Sequence, residues 1–300
     1  MKCDVIKKNI VDKFGIEFRN PSEFETLALL ESKIDKKVLT FLDSSKYIGS
    51  IQDNVSMLCT TPDIACQLEH YVGGLIITEN PRLLFFELHN EFANNMSYVR
   101  KQCENQISPN ANISDMAYVA SRNVIIEDDV IVEPFACIYE NTILRKGSII
   151  RSGAVIGGCG FEYKRRTDDI MAVAHYGGVI IDEYVEIQNH TCIDRAVYPW
   201  DNTIVGRHTK IDNLVYVGHA VKIGRNVLIT AGAVIGGRTE IEDNCWIGIN
   251  SVLRNGLVIG ENARVNMGAV VTRSVPSGES VTGNFAIPHE KFIENLKAGR

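Results

Sequence analysis

The sequence lacks several features that would point to particular classes of protein. Its eight cysteines include no Cys-x-x-Cys pair, which argues against a zinc site and against a disulfide framework in a chain of 300 residues. No run of about 18 apolar residues occurs, and no basic segment followed by an apolar one opens the chain. We therefore expect a cytoplasmic protein with no metal, whose reduced cysteines serve as small apolar side chains.

Positive charge is also scarce. The chain has 31 Lys and Arg against 37 Asp and Glu, a net charge of −6. Nucleic acids and anionic membranes attract basic surfaces, so the composition gives no support for either partner. The apolar content of 45% and the charged content of 23% are ordinary for a globular protein. The length allows one large domain or two medium ones.

A six-residue period organises two thirds of the chain. An aliphatic residue or cysteine recurs at every sixth position in two long runs. The period fits neither a helix, at 3.6, nor a strand, at 2. It predicts a coil of three short strands that closes in about 18 residues, with one inward side chain per strand. The predicted inward positions are Ile107, Ile113, Val119, Ile125, Ile131, Cys137, Ile143, Ile149 and Val155, then Ile181, Ile187, Ile193, Pro199, Val205, Ile211, Val217, Ile223, Ile229, Ile235, Ile241, Ile247, Leu253, Ile259, Val265 and Val271.

The limits of the period define three parts of the chain. Residues 1–104 lack it. There "VLTFL" and "GGLIIT" predict short strands, and "NPRLLFFELHNEFANN" predicts a helix that begins at Asn80-Pro81. This pattern indicates a small α/β domain. Residues 105–284 form the repeat domain, in which Cys137 and Cys245 take positions reserved for small apolar residues. Residues 285–300 predict one short amphipathic helix.

The repeat is interrupted once, over residues 157–178, by the polar sequence "GGCGFEYKRRTDDIMAVAHYGG". This stretch predicts a loop that leaves the coil, and loops of this length are usually functional. His175 lies in it and is a candidate for substrate contact. Three other histidines are expected to be solvated turn or tail residues: His190, His208 and His289.

The stretch "NLVYVGHAVKIG" contains the strongest catalytic candidate. His219 is the second residue after Val217, on a turn between two strands, where a neutral imidazole is available as a general base. Gly237, eighteen residues on, should lie one coil above, with its backbone N–H open to an oxyanion. Asp212 and Asn213, one repeat earlier, are candidates to orient the imidazole.

These motifs carry a resemblance to a known family. "KIDNLVYVGHAVKIG", "IDRAV" and "GGCGF" resemble the UDP-3-O-acylglucosamine N-acyltransferases of lipid A synthesis. The resemblance implies a left-handed parallel β-helix preceded by the α/β domain and followed by the short C-terminal helix. It also implies that His219 is the catalytic base and Gly237 an oxyanion donor. Solenoids of this kind resemble homotrimers.

The resemblance extends into the first domain and the last coils. "LTFLDSSKY" resembles the family's nucleotide-binding segment, which implies that Phe41 and Tyr47 stack on the base, with Ser44 and Lys46 making polar and phosphate contacts. On its residues alone, Phe41 is equally a core strand position. "GINSVLRNGLVIGENARVNMGAVVTRSVPSG" resembles the closing coils of coenzyme A-dependent hexapeptide acetyltransferases, which makes two residues candidates for binding the cofactor's phosphates: Arg254 and Arg273.

The sequence departs from the lipid A enzymes in two places. Their second Gly-His step is matched here by Asn255-Gly256, and their longer helical C-terminus, which docks acyl carrier protein, is matched by one short helix. The resemblance therefore favours an N-acyltransferase that moves a short acyl group from acyl-coenzyme A to the amine of a UDP- or dTDP-linked amino sugar. The group is acetyl or a hydroxyacyl such as 3-hydroxybutyryl, the pathway is surface polysaccharide or O-antigen synthesis, and no covalent intermediate forms.

Two alternatives remain open at this stage. The first is the lipid A enzyme itself, with acyl carrier protein as the donor. The second is a structural or binding solenoid without catalysis.

Overall fold

A computed structural model describes residues 1, 6–94, 97–283 and 286–298. Cys3 lies outside these residues. Contacts divide the chain into two compact units. The first contains Met1–Lys101, Phe161–Gly177 and Val197–Trp200, and the second contains Gln102–Gly160, Gly178–Ala196 and Asp201–Arg300.

The first unit is an α/β fold. Its strands are β1 (Glu17–Arg19), β2 (Thr26–Leu27), β3 (Val38–Leu42), β4 (Val55–Thr60) and β5 (Gly74–Ile77), its α-helices are α1 (Lys8–Phe14), α2 (Pro62–Gln67) and α3 (Pro81–Glu91), and its 3-10 helices are Ser45–Ser50 and Phe92–Asn94. The sheet order is β1-β5-β4-β3-β2, with β2 to β5 parallel and β1 antiparallel at one edge. The strands β3, β4 and β5 are almost wholly buried, as expected for a parallel sheet between layers.

The local predictions for this unit are confirmed. Strand β3 covers "VLTFL", and β5 lies within "GGLIIT". Helix α3 begins at Pro81, and the side chain of Asn80 caps it by accepting a hydrogen bond from the Leu83 N–H at 3.2 Å. The apolar residues of α3, including Leu84 and Phe85, are buried against the sheet.

The remaining strands, in chain order, are short. They are β6 (Gln106–Ile107), β7 (Asn112–Ile113), β8 (Tyr118–Val119), β9 (Val124–Ile126), β10 (Ile131–Val132), β11 (Cys137–Ile138), β12 (Thr142–Leu144), β13 (Ile149–Ile150), β14 (Val155–Gly158), β15 (Tyr163–Arg165), β16 (Ile170–Ala172), β17 (Gly178–Ile181), β18 (Glu186–Ile187), β19 (Cys192–Asp194), β20 (Asn202–Val205), β21 (Lys210–Ile211), β22 (Tyr216–Val217), β23 (Lys222–Ile223), β24 (Leu228–Ile229), β25 (Val234–Ile235), β26 (Glu240–Ile241), β27 (Trp246–Ile247), β28 (Val252–Leu253), β29 (Val258–Ile259), β30 (Arg264–Val265), β31 (Val270–Val271) and β32 (Ser280–Val281). The predicted C-terminal helix follows as α4 (His289–Ala298).

All of these strands except β15 and β16 form three parallel sheets, one per face of the solenoid. Sheet I contains β7, β10, β13, β18, β21, β24, β27, β30 and β32; sheet II contains β8, β11, β14, β19, β22, β25, β28 and β31; sheet III contains β6, β9, β12, β17, β20, β23, β26 and β29. The core of the second unit is the column of inward aliphatic side chains between the three sheets. In the later coils strands pair at the predicted spacing of eighteen residues, as Val217 does with Ile235.

The predicted inward positions are correct from Ile181 onward, except for Pro199, and also in the first coil, where Ile107, Ile113 and Val119 are in register with the inward Ile126, Val132 and Ile138. They are wrong by one residue from Ile125 to Val155. Ile107 pairs with Ile126, nineteen residues away, so the first coil holds one extra residue. A one-residue slip turns every side chain to the other face of its strand. The buried positions there are Ile126, Val132, Ile138, Leu144, Ile150 and Ile156, whereas Ile125, Ile131, Cys137, Ile143, Ile149 and Val155 are half-buried. Cys137 is therefore not a core residue, unlike Cys245, which is 1% exposed.

The sequence predicted a loop at the interruption of the repeat, but the structure shows two strands there. Strands β15 and β16 pair as an antiparallel hairpin that belongs to the first unit. Met171 and Val173 enter the apolar core of that unit, and Asn90 donates a hydrogen bond to the Ala172 carbonyl at 2.7 Å. Residues 161–177 thus lie outside the solenoid unit, which differs from the division expected from the period.

A second, shorter insertion escaped the sequence analysis. Val197–Trp200 also belongs to the first unit, where the Trp200 indole donates to the Leu27 carbonyl at 2.9 Å. Pro199 therefore lies in this insertion and not at an inward position of a strand. The spacing of paired residues across the insertion rises to 24, as between Cys192 and Tyr216.

The corners of the solenoid show a second period that the apolar pattern did not reveal. A residue with positive φ recurs at every sixth position, at the turn between two strands. Only glycine adopts this conformation without strain, and Asn tolerates it best among the others. In the later coils these residues are His208, Leu214, Ala220, Asn226, Gly232, Arg238, Asn244, Asn250, Gly256, Asn262 and Gly268.

His89 is a buried polar centre of the first unit, with no exposed surface. Its Nε2–H donates to the Ala174 carbonyl at 2.8 Å, and its Nδ1 lies 2.7 Å from the Tyr98 hydroxyl, which donates to it. A neutral imidazole with its proton on Nε2 satisfies both bonds. Burial accordingly lowers the pKa of His89 from 6.5 to about 4.

This pKa predicts an acid-sensitive first unit. Between pH 6.5 and about 4 the unfolded chain binds a proton at His89 that the folded chain does not, so the free energy of unfolding should fall with pH, by about 3 kcal/mol over that window. His89→Gln should be less stable at pH 7 and should show a weaker pH dependence.

The chain contains two tryptophans, Trp200 in the first unit and Trp246 in the second. Denaturant unfolding in a Trp246→Phe background, followed by Trp200 fluorescence, therefore reports on the first unit. His70→Gln, at an exposed position of the same unit, is the matched control. An unfolding free energy with equal pH dependence in His89→Gln and in the control would contradict the prediction.

Candidate active site

His219 lies on a corner of the solenoid, after β22 and Gly218, and is 8% exposed. The main chain of this corner is held from both neighbouring coils. The N–H of Ala220, whose φ is +59°, donates to the buried Thr203 hydroxyl at 2.8 Å. The His219 carbonyl accepts from the Arg238 N–H at 2.9 Å. The imidazole is therefore attached to a fixed segment of backbone.

Gly237 lies one coil above His219, where the register predicted it. A Cβ atom at Gly237 would lie 2.8 Å from Cε1 and 2.9 Å from Nε2 of His219, so the imidazole packs directly against this backbone. The Gly237 carbonyl accepts from the Gly256 N–H at 3.0 Å, whereas its own N–H donates no hydrogen bond to any of the described residues. The predicted proximity is confirmed, and the oxyanion role stays a prediction.

Asp212 and Asn213 do not reach the imidazole. The Asp212 carboxylate accepts from the Ala231 N–H at 3.1 Å and from the Asn213 side chain at 2.8 Å, and the Asn213 carbonyl oxygen accepts from both the main chain and the side chain of Asn189 at 3.0 Å. These groups occupy the corner before β22, whereas His219 follows it. The expectation that they orient the imidazole is therefore wrong within this chain, because consecutive repeats turn different corners.

Two charged residues that sequence reasoning did not single out lie below His219. Ile193 pairs with Val217; Asp194 and Arg195 follow Ile193 as Gly218 and His219 follow Val217. Asp194 is 6% exposed and Arg195 is 8% exposed. The Arg195 guanidinium donates to the Glu140 carboxylate at 3.4 Å. The motif "IDRAV" contained both residues but did not indicate their place in the coil.

Asp194 has a close partner in the coil above. The Tyr216 hydroxyl donates to its Oδ2 at 2.6 Å. Burial raises the pKa of the Asp194 carboxyl, and the hydrogen bond from Tyr216 opposes that rise. Burial also raises the pKa of Tyr216, with the bond and the charge of Asp194 acting in the same direction. Tyr216 is therefore a protonated donor at neutral pH.

The two candidate coenzyme A residues lie on the same corner as His219. Arg254 directly precedes Asn255, and Arg273 follows β31 in the next coil, where the corner is two residues shorter because Ile259 pairs with Val275. His219, Gly237 and Asn255 thus form one column over three coils, a rise of about 10 Å at the usual strand spacing. Arg254 and Arg273 are both exposed.

The predicted nucleotide-binding residues lie at the end of β3 in the first unit. Phe41 is half-buried, and its ring packs on Phe85 at 5.1 Å and Phe86 at 6.1 Å between centroids. The Arg82 guanidinium lies 5.5 Å from its centroid. Phe41 thus packs against the core, and an exposed arginine side chain also lies near its ring.

Lys46 and Tyr47 lie in the adjoining 3-10 helix, and Ser44 is the residue before it. Tyr47 is 41% exposed, and the Lys46 ammonium lies 4.6 Å from its ring centroid. The Ser44 carbonyl accepts from the Tyr47 N–H at 3.2 Å, at the start of the helix. An exposed aromatic beside a cation suits a nucleotide, and base stacking stays a prediction.

His175 is not at the tip of an exposed loop. It is 6% exposed within the first unit, and its Nδ1–H donates to the Val173 carbonyl at 3.0 Å. A contact with substrate stays a prediction for this residue. The expectation for the other three histidines is confirmed, since all are exposed at turns or in α4: His190, His208 and His289.

Within the ranges that the structure describes, no three His, Cys, Asp or Glu side chains are grouped so as to hold a metal ion. No helix in the same ranges has the length and apolar character needed to cross a bilayer.

Comparison with known proteins places these features in context. The family model "Bacterial transferase hexapeptide (six repeats)" matches residues 123–158, 202–237 and 238–273. UDP-3-O-acylglucosamine N-acyltransferase of Fusobacterium nucleatum is 35% identical over 181 residues, which cover 54% of this chain and 54% of that protein. The chain thus spans about half the length of this curated relative.

A solved structure shows the same fold. The Francisella novicida UDP-N-acetylglucosamine acyltransferase superposes with a TM-score of 0.51 at 23% identity, covering 64% of this chain and 71% of that chain. The handedness expected from the sequence motifs is confirmed by this likeness: the second unit is a left-handed parallel β-helix. The chain is therefore similar, over its repeat region, to hexapeptide-repeat transferases and to an N-acyltransferase of nucleotide sugars.

Proposed function

We propose that this protein is an N-acyltransferase that moves a short acyl group, acetyl or a small hydroxyacyl, from a coenzyme A thioester to the amine of a UDP- or dTDP-linked amino sugar. The observation that carries the proposal is the packing of the His219 imidazole against the backbone of Gly237. A base and an unengaged N–H donor thus lie side by side on a rigid corner, and acyl transfer needs both.

The chemistry follows from these two groups. The amine nitrogen attacks the thioester carbonyl carbon while His219 takes a proton from the nitrogen. The oxygen becomes negative and accepts a hydrogen bond from the Gly237 N–H. The tetrahedral adduct then collapses, the carbon–sulfur bond breaks, and the thiolate leaves with the proton from the imidazolium. The products are an amide and a thiol, and His219 is neutral again.

The column above His219 supports a thioester donor with an anionic end. Gly237 and Asn255 offer backbone and a small polar side chain over two coils, and Arg273 follows in the next. A long thin arm laid along this corner would bring its phosphates to Arg273 and Arg254. Coenzyme A has this shape and charge.

The first unit supplies candidates for holding the nucleotide. Phe41 and Tyr47 offer aromatic faces for the base, Lys46 a cation for a phosphate, and Ser44 a polar contact. Arg82, which covers part of the Phe41 ring, would have to move or share that face. A role in surface polysaccharide or O-antigen synthesis, and a cytoplasmic location, follow only if the acceptor is of this class.

The outer surface of sheet II supports the expected homotrimer. Its outward positions are uncharged through all eight strands, whereas sheets I and III carry charged residues such as Glu186 and Lys222. Exposed apolar surface of this extent marks an association site. The outward positions are Tyr118, Cys137, Val155, Cys192, Tyr216, Val234, Val252 and Val270.

The second candidate function is N-acylation in lipid A synthesis, with a long hydroxyacyl chain from acyl carrier protein. The identity of 35% to the Fusobacterium protein of that name favours it. The replacement of a Gly-His step by Asn255-Gly256 favours the first candidate.

His219→Ala should lower kcat/KM for the amino sugar by about 10²–10⁴-fold, because it removes the general base. The assay follows thiol release with acetyl- and 3-hydroxybutyryl-coenzyme A, and in parallel with hydroxyacyl-acyl carrier protein.

His190→Asn is the matched control, since His190 is an exposed corner residue whose positive φ suits Asn. An active His219→Ala enzyme would refute the base assignment. A higher kcat/KM with acyl carrier protein than with coenzyme A would favour the second candidate.

Gly237→Ala should abolish most activity without unfolding the solenoid, because the new methyl group would overlap the His219 ring, at 2.8 Å from Cε1. We expect a loss of about 10²-fold or more in kcat, comparable to the loss of one oxyanion donor, with an unchanged circular dichroism spectrum.

Gly256→Asn is the control on the same corner, because its φ is +71°, its Cβ direction is open, and Asn takes the equivalent position in other coils. A wild-type kcat in Gly237→Ala would contradict the prediction, because it would show that catalysis does not need the packing of the imidazole against this backbone.

Tyr47→Ala should weaken binding of the free nucleotide by about 5- to 100-fold, because it removes one stacking face of the kind worth 1–3 kcal/mol per base. Calorimetric titration with UDP and with dTDP measures the change and identifies the preferred base.

Tyr47→Phe should retain binding, since the ring remains. Equal affinities in wild type and Tyr47→Ala would remove Tyr47 from the nucleotide site.

A further inference from the structure

Asp194 is a buried carboxylate without a compensating cation. It is 6% exposed, and Tyr216 is the one side chain that donates to it among the described residues, at 2.6 Å on Oδ2. Arg195, the next residue, directs its guanidinium to Glu140. Burying an ionised carboxylate against a single neutral donor is costly. A buried carboxylate of this kind is expected where a ligand supplies the missing hydrogen-bond donor.

The location of Asp194 connects it to the catalytic corner. It follows Ile193, which pairs with Val217, and Val217 lies two residues before His219. The buried Thr203 hydroxyl donates to the Asp194 carbonyl at 2.6 Å and accepts from the Ala220 N–H at 2.8 Å. One side chain therefore ties the backbone of Asp194 to the turn that carries His219.

We propose that Asp194 and Tyr216 form the subsite for the acceptor's amine, an inference that rests on the proposed N-acyltransfer. The free Oδ1 of Asp194 accepts an N–H of the amine, and Tyr216 holds Oδ2. A neutral primary amine has two protons and one lone pair. One proton is held by Asp194, the other faces His219, and the lone pair is left for the thioester carbonyl.

The same arrangement selects an amine over a hydroxyl. A hydroxyl has one proton, which cannot be given to His219 and held by Asp194 at once. The nitrogen also gains positive charge as it attacks, and a fixed carboxylate beside it stabilises that charge. A site built around a substrate N–H leaves its buried acceptor unpaired when the N–H is missing, which is a strong source of discrimination.

The test uses matched pairs of nucleotide sugars that differ only in NH2 against OH at C2, C3 or C4, linked to UDP or dTDP. Wild type should bind one amino sugar more tightly than its hydroxyl partner, and Asp194→Asn should reduce that preference by about 10- to 100-fold. Tyr216→Phe should reduce it less, because the carboxylate remains. In turnover, Asp194→Asn should raise KM for the amine and lower kcat, with KM for the acyl donor unchanged.

Asp243→Asn is the control, because Asp243 lies on another corner and pairs with the exposed Arg225 at 2.6 Å. Tyr216→Phe, which removes one oxygen atom only, keeps the test decisive if Asp194→Asn misfolds. Amine preference equal to wild type in the variants, or no preference in wild type, overturns the subsite and identifies Asp194 as a structural carboxylate.

The two proposals fail in different ways. If wild type acylates the amine and Asp194→Asn does so equally well, the subsite is wrong and the function stands. If wild type binds the amino sugar with a preference that Asp194→Asn abolishes, yet transfers no acyl group from any donor, the subsite stands and the function is wrong.

Discussion

The hydrogen-bond ladder between successive coils is the interaction on which the whole second unit depends. Each short strand pairs in parallel with the strand above and below it, so each residue acquires two neighbours at a fixed spacing of about 4.8 Å. Side chains consequently stand in columns that run the length of the solenoid. The register of the strands therefore determines which residues lie next to a histidine in such a column. A residue inserted or deleted within a coil changes which residues of that coil and of the next coil are neighbours, as the offsets of nineteen and twenty-four show.

This dependence explains what the sequence could and could not predict. The period of six was enough for the fold class, the inward positions from Ile181 onward and the adjacency of His219 and Gly237, because both residues lie in coils of eighteen. It failed where the coil length changes. The first coil has nineteen residues, and both Ile125 and Ile126 are aliphatic, so apolar character alone cannot identify the inward residue.

Asp194 and Arg195 were missed for the same reason. A fixed offset of eighteen from His219 leads to Asp201, whereas the insertion of Val197–Trp200 shifts the true neighbour to Arg195. The insertion was hidden because Pro199 coincides with the period. Conversely, Asp212 and Asn213 seemed close to His219 because they are close in sequence. Strand β22 separates them from His219, and the hydrogen bonds of their side chains are made at their own corner.

The geometry of the chain also explains why the neighbouring Arg195 does not neutralise the Asp194 carboxylate. Successive residues of an extended segment direct their side chains to opposite sides, so Asp194 and Arg195 are poorly placed to neutralise each other. Arg195 pairs with Glu140 instead, and Asp194 retains only the Tyr216 hydroxyl. Burial favours the protonated form of Asp194, and the hydroxyl favours the ionised form. A substrate amine would tip this balance toward the carboxylate, since it brings both N–H donors and, as it attacks, positive charge. At the His219 corner, then, the ladder supplies the rigidity, Gly237 supplies the space, and the incompletely paired Asp194 carboxylate is the group proposed to bind the amine.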